Sequence, residues 1–170
     1  MLIVCGGVRT EPTYFKGLKQ AFRNPAVVVK VVAEPRDPEA VVRAARLHLE
    51  SGDFDAAWCV LDVDEFRFER ALKDAREHGI SLAVSNPCFE VWLLLHRADL
   101  RTPFPTAKDV LVRLRSQLPH YEKSGLRFAD FEDHVVDAIT RARSLPGAEQ
   151  VLGPNPTSGV WRVIQAVLPA

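Results

Sequence analysis

The stretch AWCVLDVDEF, from Ala57 to Phe66, constrains the fold more than any other part of the chain. An apolar run that ends at Leu61 has the length of a strand buried on both faces, as in a parallel sheet. Asp62 and Asp64 follow, so two carboxylates fall at the strand's carboxyl end, where open α/β sheets bind their ligands. Because side chains alternate along a strand, both carboxylates project to the same side and repel each other. A divalent cation such as Mg2+ would remove that repulsion; the alternative is a solvated turn with acids left over from helix capping.

The pattern around that stretch predicts an α/β fold. Short apolar runs predicted as strands stand at 2–5, 27–33, 57–61 and 80–84. Between them, apolar residues recur at helical spacing, and Asp37 and Gly52 mark the start and end of one predicted helix. The resulting βαβαβαβ order implies a mostly parallel sheet with right-handed crossovers, flanked by helices.

A nearly all-apolar helix is predicted after the fourth strand, in the sequence SNPCFEVWLLLH. Asn86 is placed as its N-cap and Pro87 as its first residue. A helix that is apolar on almost every face is a buried one, and Glu90 is the exception here. Glu90 either gains from the helix dipole in the first turn or faces the strand-end crevice with the two aspartates. His96 ends the helix, where the alternatives are a partner for the dipole and a catalytic base.

The chain divides near residue 100 into a βα core, residues 1–100, and a helical portion, residues 101–170. The helical patterns of the second portion cover 108–118, 131–145 and the residues after a cap at Thr157 or Ser158. None of these helices is long enough to be stable alone, so we expect both portions to pack into one compact domain.

Composition limits the location of the protein more than its partners. Lys plus Arg and Asp plus Glu both number 22, so the net charge does not indicate a partner. Cys5, Cys59 and Cys88 stand in apolar surroundings without Cys-x-x-Cys spacing, which favours reduced core thiols. No apolar stretch is long enough to cross a bilayer, and no signal peptide precedes the first strand. We therefore expect a cytoplasmic protein that does not contact membranes.

Gly6 and Gly7 end the first strand, just before a helix that Thr10 can cap. Such a turn can cradle a phosphate at the helix N-terminus. The spacing matches neither GxGxxG nor GxxxxGK[ST], so a plain strand-to-helix turn is the stronger alternative.

Five segments occur in order along nearly the whole chain: VCGGVRTEPTYF, LDVDEF, SNPCFEVWLLLH, HYEK and NPTSGV. Together they resemble the RloB-like proteins, and SNPCFEVWLLLH is the most specific of them. This family is known from restriction-modification and other anti-phage defence loci. It is related to the Toprim fold, the catalytic domain shared by topoisomerases, primases and several defence nucleases. The resemblance implies a Toprim-like (Rossmann-like) core, carboxylates that bind Mg2+ or Mn2+, and phosphodiester chemistry on DNA or RNA, tRNA included.

The resemblance also implies roles for single residues. Asp62 and Asp64 match the Asp-x-Asp pair that holds Mg2+ in Toprim enzymes. The glutamate that acts there as general acid/base or metal ligand belongs at the end of the first strand, where this chain has Gly6. Glu11, which matches the family's Thr-Glu, would then complete the site as a ligand or an acid/base, and so would Glu90. Loss of proton transfer would otherwise cost much of the rate.

The leading hypothesis is a metal-dependent nuclease of anti-phage defence. Arg9, Lys123 and His120 would neutralise the nucleic-acid backbone. Tyr121 either stacks on an unpaired base or only packs against the protein. The family's genomic setting implies a partner ATPase from the same locus, and a homo-oligomeric state is left open. Asn86 and His96 are assigned supporting roles.

Two other functions compete with the nuclease. A catalytically silent nucleic-acid-binding or regulatory module would keep the fold without the chemistry, and Gly6 favours it. A haloacid-dehalogenase-like phosphohydrolase would use an aspartate of the Asp-x-Asp pair as its nucleophile. That motif normally follows the first strand, whereas two predicted strands precede it here.

Overall fold

The computed structural model describes residues 1–24, 28–34, 36–63 and 67–168, and within them the chain forms a five-stranded sheet. Its strands are β1 (Leu2–Cys5), β2 (Lys30–Ala33), β3 (Ala57–Asp62), β4 (Ser81–Asn86) and β5 (Thr157–Ser158). They lie in the order β2-β1-β3-β4-β5, so β3 is central. The first four are parallel, and the short β5 runs antiparallel beside β4. The predicted α/β fold with a mostly parallel sheet is confirmed.

Helices cover both faces of the sheet and make up most of the C-terminal portion. They are α1 (Thr10–Ala21), α2 (Pro38–Glu50), α3 (Glu69–Glu77), α4 (Glu90–Leu95), α5 (Ala107–Gln117), α6 (Val135–Ser144) and α7 (Val160–Val167). Three short 3-10 turns lie between α5 and α6, at Lys123–Gly125, Phe128–Asp130 and Glu132–His134. Within the described residues, no helix is long and apolar enough to cross a membrane.

Successive side chains of the strands point to opposite faces of the sheet and pack into two separate hydrophobic clusters. Leu2 and Cys59 face α2 and α3, in a cluster that includes Val41 and Ala71. Residues of the opposite parity, such as Ile3 and Val60, join a larger cluster with α1, α4 and the C-terminal helices. Burial on both faces explains why β1 and β3 read as continuous apolar runs. The C-terminal helices therefore complete the core of the second face.

The register of the sheet brings the ends of its strands together. Cys5 at the end of β1 is level with Val60 in β3, and Asp62 is level with Ser85 in β4. The Gly6 N–H donates to the Val60 carbonyl at 2.9 Å, which extends the alignment one residue past β1. The residues that follow the parallel strands thus lie along one edge of the sheet, the edge at which open α/β sheets bind ligands.

Two predicted helix caps are wrong. Asn86 is the last residue of β4 and does not cap α4; a cis peptide joins it to Pro87, and its side chain donates to the Gly153 carbonyl at 3.0 Å. Thr157 and Ser158 form β5 beside β4, and Gly159 occupies the N-cap position of α7, although the Ser158 hydroxyl accepts a hydrogen bond from the Val160 N–H at 3.4 Å. Polar residues that suit a helix cap also suit a strand end, and the pairing partner decides between them.

Several element boundaries also differ from the predictions. The described part of the second strand begins at Lys30, and Val27 lies outside the described residues. The helix predicted to begin at Phe131 begins at Val135, because 3-10 turns precede it. Asp37 does cap α2: its side chain accepts a hydrogen bond from the Ala40 N–H at 2.9 Å.

Candidate active site

Asp62 ends the central strand and carries a carboxylate oxygen that lacks a partner. The residue as a whole is partly buried, but its Oδ1 is fully buried and accepts no hydrogen bond from the described residues. Burial raises the pKa of the Asp62 carboxyl well above its ordinary value, and the carboxylates of Glu11 and Glu90 raise it further. The Lys123 ammonium and the backbone N–H of Phe89 act in the opposite direction. A buried carboxylate oxygen without a partner costs free energy, which a bound proton or cation would remove.

Glu11 reaches back from the first turn of α1 onto the backbone of Gly7. A Cβ atom on Gly7 would lie 2.1 Å from Glu11 Oε2 and 2.3 Å from Oε1, so the carboxylate occupies the space that any side chain at Gly7 would need. Burial raises the pKa of the Glu11 carboxyl, its own backbone N–H lowers it, and the charge of Glu90 raises it again. The net shift is upward, so Glu11 binds a proton more readily than an exposed glutamate does.

Glu90 begins α4, and Lys123 supplies its counter-charge. The Lys123 ammonium lies 2.8 Å from Glu90 Oε1; the Glu90 side chain is 2% exposed and that of Lys123 is 53% exposed. Partial burial alone would lower the pKa of Lys123, but its hydrogen bond and charge interaction with Glu90 outweigh this and raise it. Lys123 therefore remains a cation beside the carboxylates.

Two cavities adjoin these side chains. The first, of about 130 Å³, is named here the Arg36 cavity and is lined by Gly6, Gly7, Glu11, Arg36, Pro38, Leu61 and Asp62. The second, of about 280 Å³, is named the Lys123 cavity and is lined by Gly7, Val8, Arg9, Thr10, Glu11, Asp62, Phe89, Glu90 and Lys123. The structure thus brings together five predicted site residues: Glu11, Asp62, Glu90, Lys123 and the exposed Arg9.

The predicted nucleic-acid contacts divide between this site and other places. Tyr121 is 3% exposed and packs in the larger core cluster, which agrees with the second of its two alternatives, packing against the protein. His120 lines neither cavity; it lies 3.2 Å from an Asp130 carboxylate oxygen and 2.8 Å from the Arg127 guanidinium.

His96 is a buried member of the aromatic core. Its Nδ1 bonds the Trp92 carbonyl at 3.0 Å and its Nε2 bonds the Tyr14 hydroxyl at 3.1 Å. Burial lowers the pKa of His96 to about 3, so the imidazole is neutral at physiological pH. The neutral imidazole links α1 to α4 through these two hydrogen bonds, and it does not act as a charged partner of the helix dipole.

Asp64, the second predicted metal ligand, lies outside the described residues. Among the residues that are described, no three His, Cys, Asp or Glu side chains converge as a metal-binding group. Asp62 and Glu11 nevertheless supply hard oxygen donors, one of them unpartnered. Mg2+ keeps several of its waters and is often held by one or two carboxylates, so these donors fit it.

Sequence reasoning missed three features of the site. Arg36 gave no signal as an isolated arginine, and Gly7 was seen only as part of a turn. The ion pair between Glu90 and Lys123 joins residues 33 positions apart, which no local pattern indicates.

A mostly parallel α/β sheet with carboxylates at the end of its central strand defines a class of proteins that bind ligands at that edge. The model of the family described as RloB-like protein matches residues 1–167. The chain therefore belongs to the RloB-like family. The comparisons with curated proteins and with solved structures found no match.

Proposed function

We propose that this RloB-like protein is a divalent-metal-dependent nuclease that cleaves phosphodiester bonds in DNA or RNA. The observation that carries the proposal is the unpartnered, buried Oδ1 of Asp62 at the carboxyl edge of the central strand. Glu11 and Glu90 lie close enough to raise the pKa of Asp62, so the site holds more negative charge than its neighbours compensate. Such a site gains free energy when it binds a cation.

Asp62 and Glu11 are the described residues that would hold Mg2+ or Mn2+, and Asp64 would join them. A bound ion of this kind would act as a Lewis acid on the phosphate and would lower the pKa of a bound water. The role of the protein is to supply oxygen donors in a partly dehydrated cleft at a fixed edge of the sheet.

Glu11 is the residue best suited to proton transfer. Gly6 offers no side chain for this purpose, whereas the Glu11 carboxyl is buried, adjoins both cavities and has a raised pKa. A carboxyl with a raised pKa is more often protonated near neutral pH and can donate a proton to a leaving oxygen. Glu11 therefore takes the role of general acid/base in this proposal.

The cations of the Lys123 cavity would receive the phosphate backbone. Lys123 and Arg9 line that cavity, and both are positively charged at neutral pH. Binding of nucleic acid through such cations is electrostatic and weakens with salt. The proposed setting is cytoplasmic anti-phage defence with a partner ATPase from the same locus, which follows from the family's genomic associations.

A cleavage assay tests the function. The purified protein is incubated with Mg2+ or Mn2+ and with single-stranded and structured DNA and RNA, alongside Asp62→Asn, Glu11→Gln and the exposed control Asp133→Asn. We expect cleavage that Asp62→Asn lowers by at least about 100-fold, with Glu11→Gln losing about 10² to 10⁴ and the control unchanged. Inactivity of the natural protein on every substrate, or equal activity of Asp62→Asn and the control, would contradict the proposal.

A silent nucleic-acid-binding module is the second candidate. It is favoured by Gly6, which supplies neither ligand nor proton, and by the ion pair through which Lys123 already compensates Glu90. In that case nucleic acid would bind equally well with and without divalent ions, and no cleavage would follow.

A further inference from the structure

The Arg36 cavity and the Lys123 cavity have a common wall. Gly7, Glu11 and Asp62 line both of them. The two carboxylates therefore stand between the cavities, as a partition at the carboxyl edge of β1 and β3. A group bound at the carboxylates would be open to both sides.

Each cavity is also lined by at least one positively charged side chain. Arg36 lines the first cavity, and Arg9 and Lys123 line the second. The Arg36 side chain is 70% exposed and forms an ion pair with the partly exposed Glu34 at 3.3 Å, which contributes little free energy. Arg9 is exposed and forms no ion pair with any described residue. Both guanidinium groups are thus available to an anion.

The dimensions of the Arg36 cavity suit a phosphate group. Its volume is about 130 Å³. A phosphate fits in such a space, and a stacked base pair does not. The planar fork of an arginine also matches phosphate geometry.

The charge pattern distinguishes a strand from a small phosphate ester. A mononucleotide or a phosphate monoester would need cations on one side of the carboxylates only. A polynucleotide presents phosphates at regular intervals. Along its path it would contact the cation of one cavity, then the two carboxylates, then the cations of the other cavity. Cations on both sides of the reacting centre are what an internal phosphodiester requires.

We propose that a single nucleic-acid strand crosses the partition formed by Asp62 and Glu11, with one flanking phosphate in the Arg36 cavity and another beside Arg9 and Lys123. This inference rests on the proposed function and specifies its substrate as an internal phosphodiester of a single-stranded segment. Arg36 is then a binding residue for the phosphate on one side of the scissile bond, and Arg9 for the phosphate on the other.

The test measures binding separately from cleavage. Fluorescence anisotropy with labelled oligonucleotides of one to eight nucleotides, in Ca2+ or without divalent ions, compares the natural protein with Arg36→Ala, Arg9→Ala and Arg76→Ala. Arg76 is the matched control, because it is an exposed arginine that lines a cavity with Trp58 and Ser81, at the opposite edge of the sheet. Melting curves check that each variant is folded.

We expect the affinity for the eight-nucleotide strand to fall about 3- to 10-fold in Arg36→Ala and in Arg9→Ala, with a salt slope reduced by about one in each. The losses should multiply in the double variant, because the two cavities are separate. Affinity should rise with length up to the strand that reaches both cavities, and Arg76→Ala should bind as the natural protein does.

Three results would overturn the strand path. Arg36→Ala could bind like Arg76→Ala, a mononucleotide could bind as tightly as the long strand, or a duplex could bind more tightly than the single strand with the same dependence on Arg36. If cleavage still depends on Asp62 in any of these cases, the strand path fails and the nuclease stands. Absence of binding and cleavage on all substrates removes both.

Discussion

The ammonium of Lys123 lies 2.8 Å from a carboxylate oxygen of Glu90 that is almost completely buried. The two residues come from different elements, a 3-10 turn near the surface and the first residue of α4. The turn therefore supplies the positive charge that a fixed, buried carboxylate lacks. The same ammonium also lowers the pKa of Asp62 and Glu11, so one surface lysine acts on all three carboxylates.

Replacement of Lys123 by methionine should destabilise the protein. Loss of one partner leaves the Glu90 carboxylate buried without a counter-charge, which costs about 3–5 kcal/mol in a fully buried pair. Lys123 is half exposed and water already screens it, so we expect a loss of about 1–2 kcal/mol. Chemical denaturation measures the change, and Lys108→Met, at an exposed position on α5, is the control.

Two further measurements make that prediction specific. Glu90→Gln in the Lys123→Met background should recover most of the lost free energy, because the unpaired charge is then absent. Mg2+ should stabilise Lys123→Met more than it stabilises the natural protein. If Lys123→Met is as stable as Lys108→Met, the ion pair contributes nothing and the argument is wrong.

Replacement of Glu90 by glutamine separates a role at the site from a role at the helix terminus. If Glu90 contributes to the metal site, the variant should bind Mg2+ or Mn2+ about tenfold more weakly, with folding largely intact. If Glu90 only complements the helix dipole, stability should fall by about 0.3–1 kcal/mol while metal affinity is unchanged. Titration calorimetry and a melting curve of the same sample decide between these outcomes.

The pH dependence of stability should follow Asp62 and Glu11. Both carboxyls have a raised pKa in the folded protein, mainly because of burial, whereas an unfolded carboxyl titrates near about pH 4. The folded state therefore holds more protons than the unfolded state above that pH, so the free energy of unfolding decreases as pH rises. The stabilising contribution is complete below about pH 4 and is lost as pH rises through the raised pKa values.

The double variant Asp62→Asn/Glu11→Gln isolates this contribution. Without metal, the free energy of unfolding of the natural protein minus that of the variant should fall between pH 4 and pH 8, by at most about 1.4 kcal/mol per pH unit for each proton. Mg2+ should flatten the curve, since it replaces the protons. A difference that stays constant or rises with pH would show that the pKa values of these two carboxyls are not raised in the folded protein.

The sequence predicted the fold well because the signals of this fold are local. The apolar run that ends at Asp62 has the composition of a strand buried on both faces, and β3 is indeed central. The caps assigned to Asn86 and Ser158 failed because both residues pair across the sheet edge, over a separation of 70 residues or more. Polar residues of this kind are common both at strand ends and at helix caps. Their type alone therefore cannot distinguish the two when a strand partner is present.

The sequence predicted which types of residue form the candidate site, but not which of them contact each other. Carboxylates that follow a buried strand indicate a ligand-binding site. One cavity is indeed lined by Asp62, Glu11 and Glu90. Tyr121 stands in a polar stretch of sequence that predicts an exposed loop. Its ring is nevertheless buried, because the 3-10 turns pack it into the core. The counter-charge from Lys123 depends on how those turns fold back over α4, which no periodic pattern encodes.

Gly7 should be required for the position of Glu11. An alanine Cβ at this position would come within 2.4 Å of three carboxylate atoms of Glu11, so Gly7→Ala must push that carboxylate out of the partition. Gly6→Ala is the matched control, since its nearest contact is Leu61 Cδ2 at 3.3 Å, a tight but adjustable distance. We expect Gly7→Ala to weaken Mg2+ binding as much as Glu11→Gln does, while Gly6→Ala changes it less than twofold.

A double-variant cycle checks the mechanism of that effect. If Gly7 acts through Glu11, the variant Gly7→Ala/Glu11→Gln should bind metal no more weakly than either single variant. Losses that add in full would mean that Gly7→Ala disturbs the site by another route.

Introduction of glutamate at Gly6 should raise nuclease activity. Gly6 directly follows β1 at the edge that holds Asp62, and its φ is outside the left-handed region, so the backbone accepts a side chain. A Cβ there would lie 3.3 Å from Leu61 Cδ2 and 3.4 Å from the Val60 carbonyl oxygen, which a small shift of the leucine side chain relieves. A second carboxyl near Glu11 would add a proton donor or a metal ligand, and general acid/base catalysis contributes about 10² to 10⁴ in rate.

Gly6→Gln serves as the control for this variant, because it adds the same bulk without a titratable group. We expect Gly6→Glu to cleave single-stranded or structured nucleic acid faster than the natural protein in Mg2+ or Mn2+, by up to that factor, and Gly6→Gln to show no gain. Fast cleavage by the natural protein that Asp62→Ala abolishes and Gly6→Glu leaves unchanged would mean that Glu11 alone is sufficient for proton transfer and that a second carboxyl adds nothing. If a folded Gly6→Glu variant and the natural protein are both inert on every substrate, the nuclease proposal loses its support. The silent nucleic-acid-binding module then becomes the better account of the function.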